Sequence, residues 1–152
     1  MNKFKIYIKA ILIPVIIGGV VGLITSMAID YNNLQQPTLA PPGWIFPIVW
    51  TILYILMGIS YGILESNNLI DKRSNLIYYI QLAVNALWSI FFFVLKWRFF
   101  SILWIIFLAV MVFIMIKEFY SRNKTAGLLQ IPYLIWVVFA TYLNITIYFL
   151  NK

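Results

Sequence analysis

The chain contains no cysteine and no histidine. Without cysteine there are no disulfides and no thiolate chemistry. Without histidine the commonest general acid–base side chain is missing, and the two absences together remove the usual axial ligands of haem iron. Carboxylates are also scarce. Asp30, Glu65, Asp71 and Glu118 are the only four, and none falls deeper in an apolar stretch than its last turn, so a clustered carboxylate metal site is not expected. Charged residues of both signs make up only 10% of the 152 positions. A soluble domain uses roughly a quarter to cover its surface, so water is the wrong solvent for this chain.

What the sequence has instead is apolar length. Hydrophobic residues are 64% and aromatic residues 18%. Five apolar stretches, at about 4–29, 42–64, 75–95, 99–119 and 126–150, are each long enough to cross a bilayer at about 1.5 Å per helical residue. The fold class expected is therefore an all-α membrane protein, one domain built as a bundle of five transmembrane helices. The first stretch follows Lys3, Lys5 and Lys9 as a signal peptide would, but its apolar core outruns the roughly 7–15 residues of such a segment. Lys96-Trp97-Arg98 leaves room only for a tight turn, making the third and fourth spans antiparallel neighbours. Pro47 is expected to kink the second span and Pro132 to bend the fifth.

The net charge of +7 reads as topology rather than nucleic-acid affinity. Lys3, Lys5, Lys9, Lys72, Arg73, Lys117, Arg122 and Lys124 fall on the N-terminal side, and Lys96, Arg98 and Lys152 on the other. That excess predicts a cytoplasmic N-terminus. With no eukaryotic targeting segment, a bacterial plasma membrane is the expected location, with lipid as the general partner.

Polar and small residues inside the spans map the interior, because lipid cannot satisfy them. Gln81, Asn85 and Ser89 share one face of the third span, Trp50, Tyr54 and Gly58 one face of the second, and Pro132, Trp136, Ala140 and Asn144 one face of the fifth. Two readings remain open on spacing alone: residues that glue the bundle together, or the walls of an aromatic-lined cavity. No span carries an interior charge, which argues against a pump or an ion-coupled transporter. Gly18, Gly22 and Ser26 form a small-residue ridge that suits packing within the bundle and also permits a homodimer. The proline-rich segment 30–41 reads as an ordered lid. Leu143, Tyr148 and Lys152 match a proposed sterol-contact pattern, which is weak, and read more simply as an interfacial anchor.

Three segments carry a specific resemblance. Pro41-Pro42-Gly43-Trp44-Ile45-Phe46-Pro47 continuing through Trp50-Thr51, Leu53-Tyr54 and Met57-Gly58, then Gln81-Leu82 with Asn85 and Trp88-Ser89, then Pro132-Tyr133-Leu134 with Trp136, Phe139-Ala140 and Leu143-Asn144, resemble the translocator protein (tryptophan-rich sensory protein, peripheral benzodiazepine receptor-like) family across the whole chain. The resemblance implies a five-helix bundle that binds porphyrins, sterols or synthetic benzodiazepine-site ligands in a pocket closed by the first loop. Carried over position by position, it implies that Trp50, Asn85, Trp136 and Ala140 line the pocket with Tyr31 from the loop, and that Tyr54, Trp88, Ser89 and Phe91 contribute. Protoporphyrin IX, which needs no axial ligand, is the ligand or substrate expected; no resident cofactor is required. The resemblance to bacterial members further implies light- and oxygen-dependent porphyrin breakdown, with Trp50 and Trp136 as catalytic candidates. Passive transport of tetrapyrroles or sterols is the alternative. Asp30, Gln36 and Leu39 stand where the family often has Trp, Lys and Trp, which bears on loop closure.

Overall fold

The computed structural model describes residues 2–26 and 33–152. Among them, five helical segments are long and apolar enough to cross a membrane. The first is α1 (Lys3–Ser26), opened by Asn2, whose side-chain oxygen accepts the Lys5 backbone N–H at 2.9 Å. The second is α2 (Ile45–Ser66). The third is α3 (Lys72–Ser89) extended by a wider π-helical turn, Ile90–Val94. The fourth is α4 (Arg98–Arg122). The fifth is split into a short α5 (Lys124–Leu128) and α6 (Ile131–Leu150).

Proline acts here by position. Pro47 lies in the first turn of α2, where its missing N–H has no intrahelical partner to lose, so it starts the helix instead of kinking it. Pro132 sits in the first turn of α6, and the bend expected of it is a full break at Leu129–Gln130. Pro14 alone lies inside a described helix interior, in α1. It supplies no N–H to the carbonyl of Ala10 one turn earlier. At that carbonyl α2 comes close: a Cβ on Gly58 would stand 2.6 Å from it and 2.5 Å from the Ile11 Cα. One turn on, a Cβ on Gly62 would meet the Tyr7 ring at 2.7 Å. At Gly58 the α1–α2 contact is thus backbone against backbone, as small residues allow in a bilayer.

The other helices gather round α4, which packs against α3, α5 and α6. The turn from the third span into the fourth is as tight as the sequence requires, with Lys96 in the left-handed region at φ 57°. At the opposite end Asp71 caps α3 in a reciprocal box with Ser74. Arg122 at the end of α4 reaches Asp71 at 2.8 Å, Glu118 at 2.6 Å and the Leu69 carbonyl at 3.2 Å, tying the α2–α3 loop to α4. The core of the N-terminal half is solid: Met57, Leu64, Met115 and Phe119 are fully buried.

Gly58→Ala should push α1 off α2, because the obstruction is backbone that cannot yield; the expected loss is about 1–3 kcal/mol, read as a lower melting temperature in detergent. Gly19→Ala is the matched control, since a Cβ there meets nothing within 4 Å, and it should be neutral or mildly stabilising.

The Ser74 backbone N–H, with help from its hydroxyl and from Arg122, holds the Asp71 carboxyl below the usual carboxylate range. A depressed folded value means the group stabilises the fold above the ordinary range and loses that contribution as pH falls through its lowered value. Asp71→Asn should therefore flatten the acid limb of a stability-against-pH curve and leave its alkaline limb unchanged.

Candidate ligand-binding cavity

The half of the bundle away from the N-terminus is hollow. A cavity of about 700 Å³ lies between α1, α2, the third span and α6, within the usual size range for a small-molecule site. Its wall from α2 is Phe46, Trp50 and Tyr54; from the third span Trp88, Ser89, Phe92 and Phe93; from α6 Trp136, Ala140, Leu143 and Asn144. Gly18, Gly19, Gly22 and Thr25 of α1 complete it, and Pro42, Gly43 and Trp44 border its rim. No charged side chain is among the lining residues described.

The aromatic walls are braced against one another. Trp50 stacks on Tyr54 with ring centroids 5.7 Å apart, and meets Tyr133 and Trp136 edge-on at 6.3 and 6.4 Å. Phe46 meets Trp136 at 5.8 Å. Behind these rings runs a chain of buried hydrogen bonds. The Tyr54 hydroxyl donates to Asn85 Oδ1 at 2.7 Å, Asn85 Nδ2 donates to the Tyr133 hydroxyl at 2.7 Å, and that hydroxyl donates to Gln81 Oε1 at 2.7 Å. Gln81 Nε2 ends the chain on Met57 Sδ at 3.4 Å. Three helices are joined by it. A second tie holds the far end: Trp88 Nε1 donates to Asn144 Oδ1 at 3.0 Å, and Asn144 Nδ2 donates to the Arg98 carbonyl at 3.1 Å. Trp136 differs. Its indole N–H is buried and has no acceptor among the described residues.

The segment leading into α2 is pinned to the end of α6. The Gln35 backbone N–H donates to Asn151 Oδ1 and the Gln35 carbonyl accepts from Asn151 Nδ2, both at 2.9 Å. Turns at Pro37–Ala40 and Pro42–Ile45 then carry the chain across the rim.

The sequence that builds these five spans and this cavity has relatives among known proteins. The TspO/MBR family profile covers residues 10–150. The chain belongs to the TspO/MBR family. It is 37% identical to a tryptophan-rich protein TspO of Archaeoglobus fulgidus over 99% of each chain. It is 35% identical to the protein CrtK of Rhodobacter capsulatus over 88% of this chain and 85% of that one. It is 30% identical to the translocator protein of Bos taurus over 75% of this chain and 70% of that one. Membership and the five apolar helices make it an integral membrane protein.

Of the residues singled out from sequence, the fold brings Trp50, Tyr54, Trp88, Ser89, Trp136 and Ala140 to one cavity. Asn85 stands one layer behind, 1% exposed, with its amide engaged by two tyrosines. Phe91 is not among the lining residues: it stacks on Trp97 at 5.7 Å and meets Phe100 and Trp104 at 5.1 Å, on the α4 side. The π-helical turn explains this. Its wider wrap places Phe92 and Phe93, four and five residues beyond Trp88, on the cavity face and turns Phe91 away. Gly58 serves the α1 contact, and Gln81 the hydrogen-bond chain. Tyr31, like Asp30, lies outside the described residues. Leu39 is 70% exposed and is not part of the wall.

The contribution of α1 was not foreseen. Gly18, Gly22 and Ser26 suggested a packing ridge, and Gly18 does pack, since a Cβ there would overlap the Tyr54 ring. A Cβ on Gly22 meets nothing within 4 Å, because it faces the hollow. Residue size signals either role equally well.

Tyr133→Phe removes the hydroxyl that accepts from Asn85 and donates to Gln81 while keeping the ring that meets Trp50. The expected cost is about 1 kcal/mol, in the range of interhelical hydrogen bonds in bilayers. Thermal melts should show it together with a shifted tryptophan emission, as Trp50 loses its fixed seat against Tyr54. An unchanged melt and spectrum would show that the chain does not position the cavity wall.

Proposed function

We propose that this protein is a membrane receptor or sensor whose cavity takes a flat hydrophobic guest of the protoporphyrin IX class. The observation that carries the reading is the lining itself: four tryptophans, a tyrosine and three phenylalanines round about 700 Å³, with no charge described among them. Such a wall offers stacking area and little else. An uncharged interior leaves the propionates of a porphyrin at the rim. The chain has no histidine or cysteine to ligate iron, so the metal-free macrocycle suits it better than haem.

Receptor is favoured over passive conduit because the cavity is closed below. Met57, Leu64, Met115 and Phe119 fill the N-terminal half with no exposed surface. A guest that enters from the rim side meets a packed floor. In this reading the rim lies on the outer face of a bacterial plasma membrane and the lysine-rich N-terminal side on the cytoplasmic face.

Trp50 and Trp136 stand in mutual contact on the wall, placed to touch the guest. Under light and oxygen the excited porphyrin supplies the reactivity, and these two indoles are oxidisable partners on the wall it would face. Binding and chemistry separate by experiment. Protoporphyrin IX mixed with purified protein in the dark should shift its absorption spectrum, and Trp50→Phe/Trp136→Phe should weaken binding by no more than about tenfold, as expected from loss of one to two aromatic contacts. Illumination in air should yield a new absorbing product with wild type and much less with the double variant. No spectral shift with wild type in the dark would remove the porphyrin reading. Equal photoproduct from both proteins would leave the tryptophans as walls only.

A further inference from the structure

Away from the ligand cavity, a second hollow is cut into the lipid-facing surface. It is a groove of about 330 Å³ between α4 and α6, lined by Ile106, Ala109, Val110 and Phe113 of α4 and by Val138 and Thr141 of α6. The Thr141 hydroxyl is the lone polar side-chain group in that lining, and it donates to the Val137 carbonyl of its own helix at 2.8 Å. The groove therefore presents no unspent donor and suits an apolar chain.

One end of the groove is charged. Ile106, Val110, Phe113 and Lys117 recur at helical spacing on one face of α4. Lys117 Nζ stands over the Phe113 ring, 5.8 Å from its centroid, a cation–π distance. This ammonium is exposed and makes no ion pair with a described residue. The arginines near it differ: Arg73 is paired with Glu118, and Arg122 with Glu118 and Asp71. From Ile106 to Lys117 the helix rises about 16 Å at 1.5 Å per residue, roughly one leaflet of a 30 Å hydrocarbon core. Lys117 is close to the end of α4 at Arg122, so its stem can carry the charge to headgroup depth. The groove runs from the bilayer interior to the headgroups on the N-terminal side.

We propose that this groove seats one anionic phospholipid, with an acyl chain along α4 and α6 and the headgroup phosphate on Lys117. Charge complementarity selects the occupant. A sterol fills an apolar groove but leaves the ammonium without a counter-charge. A second copy of the chain, docked on this face about a two-fold axis along the membrane normal, brings another Lys117 to the same level, like charge against like. An anionic lipid supplies both the chain and the charge. The site is separate from the ligand cavity and does not rest on the porphyrin reading.

The test uses the full chain purified in detergent. Native mass spectrometry, with phosphatidylglycerol or phosphatidylcholine of the same acyl chains added, reads the affinity for one bound lipid. Wild type should hold phosphatidylglycerol more tightly. Lys117→Gln should weaken that binding about fivefold, as expected for one basic residue at an anionic headgroup, and leave phosphatidylcholine unchanged. Lys72→Gln removes the same charge from α3 on the same membrane side and should keep the preference. Val138→Trp fills the groove from a position 57% exposed and should weaken both lipids. If that variant does not fold, the two lysine variants still decide. No preference in wild type, equal losses from Lys117→Gln and Lys72→Gln, or a folded Val138→Trp that binds both lipids normally overturns the proposal. A dimer that Val138→Trp splits, with no lipid retained, makes the groove an interface between copies and overturns it too.

Discussion

The fold depends on one constraint: a polar group in lipid must be satisfied within the protein. The hydroxyl of Tyr133 answers it most fully. Accepting from Asn85 and donating to Gln81, with Asn85 in turn accepting from Tyr54, it joins α2, α3 and α6 at the level where the solid half of the bundle becomes the hollow half. The hydrophobic effect gives no drive for helices to associate inside a bilayer, so small residues, shape and such bonds set their arrangement. Above this chain the helices separate and the gap is walled by rings; below it they close on Met57, Met115 and Phe119.

The second device is the notch between α1 and α2. Pro14 leaves the Ala10 carbonyl without its helical donor, and Gly58 lets α2 come against it without a Cβ in the way. With the two helices held close there, the remainder of α1 is free to stand as the cavity's fourth wall. Gly19 and Gly22 present no side chain to the hollow, which widens it. Glycine therefore has two opposite uses within two neighbouring helices: close approach at Gly58 and open space at Gly22.

The charged groups are kept to the ends. Asp71, Glu118, Arg73 and Arg122 form a cluster that fastens the α2–α3 loop to α4. Its members are partly exposed, so each pair contributes modestly, and the cluster's value lies in holding the geometry of the loop. At the other face Gln35 and Asn151 do similar work with neutral groups, fixing the approach to the cavity rim.

The sequence by itself determined the solvent, the number of spans and three of the cavity's walls. Apolar length and the near absence of charge leave a bilayer as the only consistent environment, and helical periodicity places Trp50 with Tyr54, and Trp136 with Ala140, on single faces. The tertiary structure decided how those faces meet. Whether Asn85 touches the hollow or backs the wall depends on Tyr54 and Tyr133 reaching it first. Whether Phe91 or Phe93 looks inward depends on a π-helical turn that residue type does not announce. Whether Pro132 bends a helix or opens one depends on the break at Leu129–Gln130. Each is a choice among partners that only the packed helices offer, and periodicity along a single helix contains no information about them.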